Sequence, residues 1–200
     1  MRALIVGDSH AAGAMGQRLE ALLRADSFET RRLAEVGWSA DRWLAERGTE
    51  LRRLLTTWRP DVVFYVFGSN DIYRANRTAP TARALFGLGQ NPWWIGPPSY
   101  QSGNLTSRTA LTTPIVAAVF GARFIDSRPL TRRDCVGRAP DCIHFTAASG
   151  RAWADALYGI WRRRQPNAGS GSAPKMWLAP VLLVTGAISL LIALRRRRKR

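Results

Sequence analysis

The chain is short of cysteine, histidine, lysine and, over its last fifth, of any acidic residue. Two cysteines in 200 residues exclude a disulfide-stapled miniprotein, and Cys135 and Cys142, six residues between them and one histidine nearby, make poor zinc spacing. Histidine occurs only as His10 and His144, so any imidazole chemistry must use one of these two. Lysine is reduced to Lys175 and Lys199 against 28 arginines, a skew that reads as a GC-rich genome rather than as selection for guanidinium chemistry. The formal net charge of +16 is unevenly spread: residues 1–161 hold 20 arginines against 14 acidic residues, whereas residues 162–200 hold 10 basic residues and no acidic one. A nucleic-acid-binding domain should carry its charge on the folded part, so this distribution argues against nucleic acid as a partner. With 46% hydrophobic residues the chain has enough apolar material for a core, which excludes wholesale disorder.

What the tail does contain is a segment suited to a bilayer. Arg162 to Lys175, rich in Gly, Ser and Pro and carrying four cations, reads as a flexible linker at a domain boundary. The 19 residues from Met176 to Leu194 carry no charge, and at roughly 1.5 Å per helical residue they reach about 28 Å, the hydrocarbon thickness of a membrane. Six cations, Arg195 to Arg200, follow. The expectation is a C-terminal transmembrane helix; Pro180 and Gly186 are compatible with one. The two rules for its orientation oppose each other. Met1-Arg2 leads directly into a short apolar run and shows no signal peptide, which keeps the domain inside, while the Arg-rich terminus prefers the inside for itself.

Residues 1–165 alternate short apolar runs with amphipathic stretches. Strands are expected at Ala3 to Val6, Thr30 to Leu33, Val62 to Phe67, Trp93 to Ile95 and Arg123 to Asp126, and helices at Ala11 to Arg24, Ala40 to Trp58, Arg108 to Phe120 and Thr146 to Arg163. This alternation predicts a doubly wound α/β domain with a parallel sheet covered on both faces. Function in such sheets lies at the C-terminal ends of the strands. There the sequence places Gly7-Asp8-Ser9-His10, Val36-Gly37-Trp38, Gly68-Ser69-Asn70-Asp71 and Asp141-Cys142-Ile143-His144.

A serine hydroxyl needs a base within hydrogen-bond reach, usually a histidine oriented by a carboxylate. Ser9 stands at a strand-to-helix turn and is the candidate nucleophile. His144 is the candidate general base, because His10 adjoins Ser9 and is expected to point away from it; Asp141, three residues before His144, is the orienting carboxylate. Donors to a developing oxyanion are the backbone N–H of Ser9, the backbone N–H of Gly37 and the side-chain amide of Asn70. Each has a simpler reading as well: Ser9 as a helix N-cap, Asn70 and Asp71 as turn formers, Gly37 as a loop glycine, and Asp141 with His144 as a capping pair beside Thr146 or Ser149.

Taken together and in order, these four blocks resemble the SGNH hydrolases, also called GDSL-type esterases and lipases. The resemblance spans about residues 1 to 161, and Trp94-Ile95-Gly96-Pro97-Pro98 looks like the family's fourth strand and its exit. It implies a flavodoxin-like three-layer α/β/α fold and ester hydrolysis by Ser9, His144 and Asp141 without metal or organic cofactor. Family substrates range from acetylated sugars to phospholipids and thioesters, so the ligand expected is an ester-bearing small molecule, glycan or lipid. His10 departs from the family motif, which has leucine there. The leading expectation is a membrane-tethered esterase removing O-acetyl or short acyl groups from a glycan. The alternatives are lipid deacylation like that of a lysophospholipase, and a catalytically silent module that binds a glycan or partner.

Two features stay open at this stage. Cys135 and Cys142 bracket Asp141 and suit either a disulfide or two buried thiols. After Pro97 an ordered loop over the site is expected, with Trp93 and Trp94 in the core.

Overall fold

The computed structural model describes residues 1–71, 75–101 and 103–165. Most of the expected linker, the apolar segment Met176 to Leu194 and the arginine-rich tail lie outside them. Among the described residues no helix is long and apolar enough to cross a membrane.

Five parallel strands form the sheet: β1 (Arg2–Gly7), β2 (Glu29–Ala34), β3 (Val62–Val66), β4 (Pro92–Ile95) and β5 (Phe124–Ile125), in the order β2-β1-β3-β4-β5, the edge strand β2 being the polar one. Helices α1 (Ser9–Ala12), α2 (Ala14–Ala25), α3 (Ala40–Thr57), α4 (Ala75–Leu88), α5 (Gly103–Phe120) and α6 (Ala147–Arg163) connect or follow them. The expected α/β fold with a parallel sheet is therefore present, and α6 runs two residues into the stretch read as linker.

Both faces of the sheet are covered, which explains why β1 and β3 are apolar at every buried position instead of alternating with polar residues. Ala3 and Ile5 of β1, with Val62, Phe64 and Val66 of β3, pack against Met15, Leu19 and Leu23 of α2 and Trp153, Leu157 and Trp161 of α6. The intervening Leu4, Val6, Val63 and Tyr65 face the other way, toward Trp43 and Leu51 of α3, Ala82 and Leu85 of α4, and Val116 and Phe120 of α5. The result is three layers, α/β/α.

Three departures from the sequence reading have local causes. The first helix is broken at Gly13, whose extended backbone ends α1 and begins α2. Helix α5 starts at Gly103, ahead of the expected Arg108, and α4 has no counterpart among the expected helices. Both helices turn threonines inward, Thr78 and Thr81 in α4, and Thr109, Thr112 and Thr113 in α5, and each contains a proline, Pro80 or Pro114. That composition gives neither a leucine-rich stripe nor a helix-favouring run.

Strand register places the site. Gly7 lies beside Ala34 on one side and Val66 on the other, and Val66 beside Ile95, so the strands end at one edge of the sheet. The chain order reverses on either side of β1, and the crevice at such a point is where α/β sheets bind ligands.

Candidate active site

Ser9 is fixed by the turn that leaves β1. Asp8 amide donates to the Val66 carbonyl at 3.1 Å, and Asp8 Oδ1 accepts from the His10 amide at 2.9 Å, capping α1. The N-cap is thus Asp8, not Ser9, and Ser9 becomes the first residue of the helix. At that position its own N–H has no carbonyl one turn back to bond.

The second half of the site comes from the loop between β5 and α6. Asp141 Oδ1 accepts the backbone N–H groups of Ile143 at 2.9 Å and His144 at 3.0 Å, and Oδ2 lies 2.6 Å from His144 Nδ1. These bonds hold the Asp141 carboxyl well below the usual carboxylate range, the His144 side chain contributing most. With Nδ1–H donating to Asp141, His144 Nε2 faces Ser9 Oγ at 3.0 Å, placed to accept a hydrogen bond from it. Thr146, not the Asp141–His144 pair, caps α6.

Cys135 and Cys142 form a disulfide, so of the two readings open to the sequence the structure takes the bonded one. The bond closes the loop just ahead of His144. Arg138, nearly buried, crosses the same loop: its guanidinium donates to the carbonyls of Ile143 (2.8 Å), Ser99 (2.5 Å) and Arg132 (3.0 Å) and lies 4.0 Å above the Phe145 ring. The residue before His144 is thereby tied to the segment leaving β4.

Ser9, Gly37, Asn70 and His144 line one cavity of about 160 Å³, together with Val36, Ser69, Tyr100, Leu105 and Ile143. Gly37 has a φ of +78°, and no atom lies within 4 Å of where a Cβ would stand. Asn70 is oriented by donating one amide hydrogen to the Trp38 carbonyl at 3.2 Å. Asp71 turns away from the cavity and accepts from the Ala40 amide at 2.9 Å, joining the loop after β3 to the start of α3.

Three residues of the site were not singled out in the sequence. Tyr100 comes from the loop after Pro97, as expected of an ordered loop there, but its hydroxyl forms part of the cavity wall and bonds Ser69 and His10 Nε2, the latter at 3.1 Å. Its signal was position, the one aromatic in the exit from β4. Leu105 enters because α5 begins early. Arg138 is one arginine among many, and nothing in the sequence marks it. His10, expected to point away from Ser9, turns into the core against Trp153 and Phe145, yet its ring centroid is only 5.8 Å from that of His144. Burial pushes it down to about 3, with the Arg138 charge adding, so it stays neutral beside the site.

Asp8 and Asp71 are buried carboxyls that burial pushes up to about 8 and about 7, their neighbouring carboxylates adding to the shift. Each binds its proton more tightly folded than unfolded, where the ordinary value is 3.8. Their contribution to stability is therefore fully present below about pH 4 and is lost as pH rises through 7 to 8. The melting temperature should fall between pH 5 and pH 8.5, and Asp8→Asn, which keeps the acceptor for the His10 amide, should flatten that fall. Thermal melts across the range test this; a variant whose decline is as steep as the parent's would remove the assignment to Asp8.

Neither a family model nor a curated protein matches the sequence. Solved structures do resemble the fold. An alpha/beta hydrolase enzyme from the metagenome of Lake Arreo, Spain, has a TM-score of 0.64 at 14% identity, over 80% of this chain and 94% of that one. A lipase/acylhydrolase from Enterococcus faecalis gives 0.63 at 18%, over 82% and 94%. A variant of an acetyl xylan esterase from Geobacillus stearothermophilus gives 0.61 at 18%, over 80% and 93%. Catalytic mutants of that esterase replace a serine, an aspartate and a histidine, the last two three positions apart in its chain. At these identities the likeness is one of fold.

Proposed function

We propose that this protein is a serine esterase that removes acetyl or other short acyl groups, with Ser9 as nucleophile, His144 as general base and then acid, and Asp141 as the carboxylate that orients it. One observation carries the reading: the unbroken series Ser9 Oγ, His144 and Asp141, with links of 3.0 and 2.6 Å, opens into a cavity that Gly37 and Asn70 also line. As Ser9 Oγ attacks the ester carbonyl, His144 Nε2 takes its proton, and Asp141 stabilises the imidazolium. The oxyanion is met by the N–H groups of Ser9 and Gly37 and the free hydrogen of the Asn70 amide, each donor contributing on the order of 3 kcal/mol. Collapse expels the alcohol, which receives the proton from His144, and water then releases the acid from Ser9 by the same steps in reverse. None of these steps calls on a metal or organic cofactor.

Size supports a short acyl group. About 160 Å³, walled on the apolar side by Val36, Leu105 and Ile143, seats an acetyl group and part of the alcohol. An octanoyl chain would have to leave the cavity. The fold's likeness to an acetyl xylan esterase adds weight to an acetylated glycan as substrate. Rates on p-nitrophenyl acetate, butyrate and octanoate test the proposal: turnover should fall steeply with chain length. Equal rates out to octanoate would favour lipid deacylation instead, and background rates on every ester would leave a binding module.

Tethering belongs to the same proposal. Met176 to Leu194, uncharged, preceded by a Gly/Ser/Pro-rich linker and followed by six cations, would hold the catalytic domain at a membrane through a single C-terminal helix. With most of the excess charge assigned to that dressing, nucleic acid has no place among the partners.

A further inference from the structure

Helices α4 and α5 leave between them an open groove of about 570 Å³, lined by Ala79, Arg83, Phe86, Ile115, Ala118 and Val119. It faces away from the sheet, since the opposite sides of the two helices, Ala82 and Leu85 in α4 and Val116 and Phe120 in α5, are buried in the core. One turn before Ile115 on α5, Leu111 is 65% exposed. Leu111, Ile115 and Ala118 follow the spacing of a second apolar stripe, outward rather than inward.

Charge separates α4 and α5 from the other helices, including α3 on the same side of the sheet, where Arg42 pairs with Glu46 and Arg47 with Glu50. From Ile72 to Ile125 the sequence has no aspartate or glutamate but has five arginines. Arg83 and Arg123 are exposed, and Arg77 reaches back to Asp41 at 3.8 Å. On the far side of the sheet the charges are mixed and paired, Arg18 with Asp155, Arg24 with Glu20, Arg162 with Asp26. An apolar groove rimmed by cations and free of acidic side chains is complementary to a surface with anionic groups outside and hydrocarbon beneath. Leu105, near the start of the same α5, lines the catalytic cavity, so one helix serves both the cavity and this face.

We propose that the α4–α5 face seats the domain on an anionic lipid bilayer, with Leu111 and the groove at the acyl boundary and Arg83 on the head groups. The choice of a bilayer over an acidic protein rests on the anchor reading of Met176 to Leu194; the face itself does not depend on the esterase reading.

The test uses the full chain, its native disulfide kept oxidised, with an environment-sensitive fluorophore on Leu111→Cys or, on the exposed side of α6, Ala156→Cys. Far-ultraviolet circular dichroism and thermal melts confirm that both fold as the parent does. Each is mixed with phosphatidylserine/phosphatidylcholine vesicles, or phosphatidylcholine alone, containing a doxyl-labelled quencher lipid. Co-sedimentation with strong quenching at Leu111, weak quenching at Ala156 and a preference for phosphatidylserine is the result expected. Arg83→Gln should lower the ratio of seated to unseated chains about fivefold, as expected for one cation at an anionic surface. Co-sedimentation with equal quenching at both positions would overturn the seating while leaving the anchor intact. Absence of co-sedimentation would overturn both and return the face to an acidic protein partner.

Discussion

Ser9→Ala is expected to lower kcat on p-nitrophenyl acetate by on the order of a thousandfold or more, and His144→Ala by as much. The serine loses the only atom that attacks, and the histidine is the group 3.0 Å from it able to take its proton. Because the two act in a single step, the double variant should be no slower than either single one. Asp141→Ala should be milder. The carboxylate is 45% exposed, so water can take over part of its contact with His144 Nδ1, and the rate should retain on the order of tenfold over that of the Ser9 variant. Steady-state kinetics on the folded variants decide the matter. Parental turnover in Ser9→Ala would remove this serine from the mechanism, whatever its geometry.

Gly68→Ala should be strongly damaging although it adds a single carbon beside the site. Gly68 has a φ of +133°, where side chains are rarely accommodated, and a Cβ there would stand 2.5 Å from the Pro97 Cδ and 2.9 Å from Cγ. The proline ring belongs to the rigid exit from β4 and cannot swing aside as a lysine or methionine would. Backbone strain of about 1–3 kcal/mol and overpacking of a similar size act together, so a loss on the order of 4 kcal/mol is expected. Chemical denaturation measures it. The same substitution should slow turnover in whatever fraction stays folded, since Ser69 and Asn70 follow directly and Pro97 leads to Tyr100. A variant with parental stability would mean that the turn relaxes to another conformation at little cost.

Ser9 and Asn70 were legible as candidate site residues because each follows a strand with a strong signal. β1 and β3 are unbroken apolar runs, and the register that aligns Gly7 with Val66 brings Ser9 and Asn70 to one edge. The three-residue spacing of Asp141 and His144 also survives unchanged into the turn. What could not be read was whatever depends on threonine, proline and a single arginine. Helix α4 hid because its buried side is Thr78, Thr81, Ala82 and Leu85, a set too small and too polar to stand out against its outer residues. Asp8 illustrates a different gap. The sequence allowed Ser9 to cap the helix, and only the backbone course of the turn shows that the residue before it does so, freeing the hydroxyl for His144. Arg138 gathers three carbonyls that are distant from one another in sequence order, and no local pattern announces such a contact.

The site is assembled from the two ends of the domain: Ser9 follows the first strand, and His144 stands 135 residues later, just before the last helix. That has a consequence for biogenesis. A chain still emerging from the ribosome contains Ser9, Gly37 and Asn70 early, yet lacks His144 until the last loop appears and α6 packs beside α2. On the proposed esterase reading, hydrolysis would be withheld from nascent and half-folded chains, and the onset of turnover during refolding would mark the docking of the final helix rather than the collapse of the sheet.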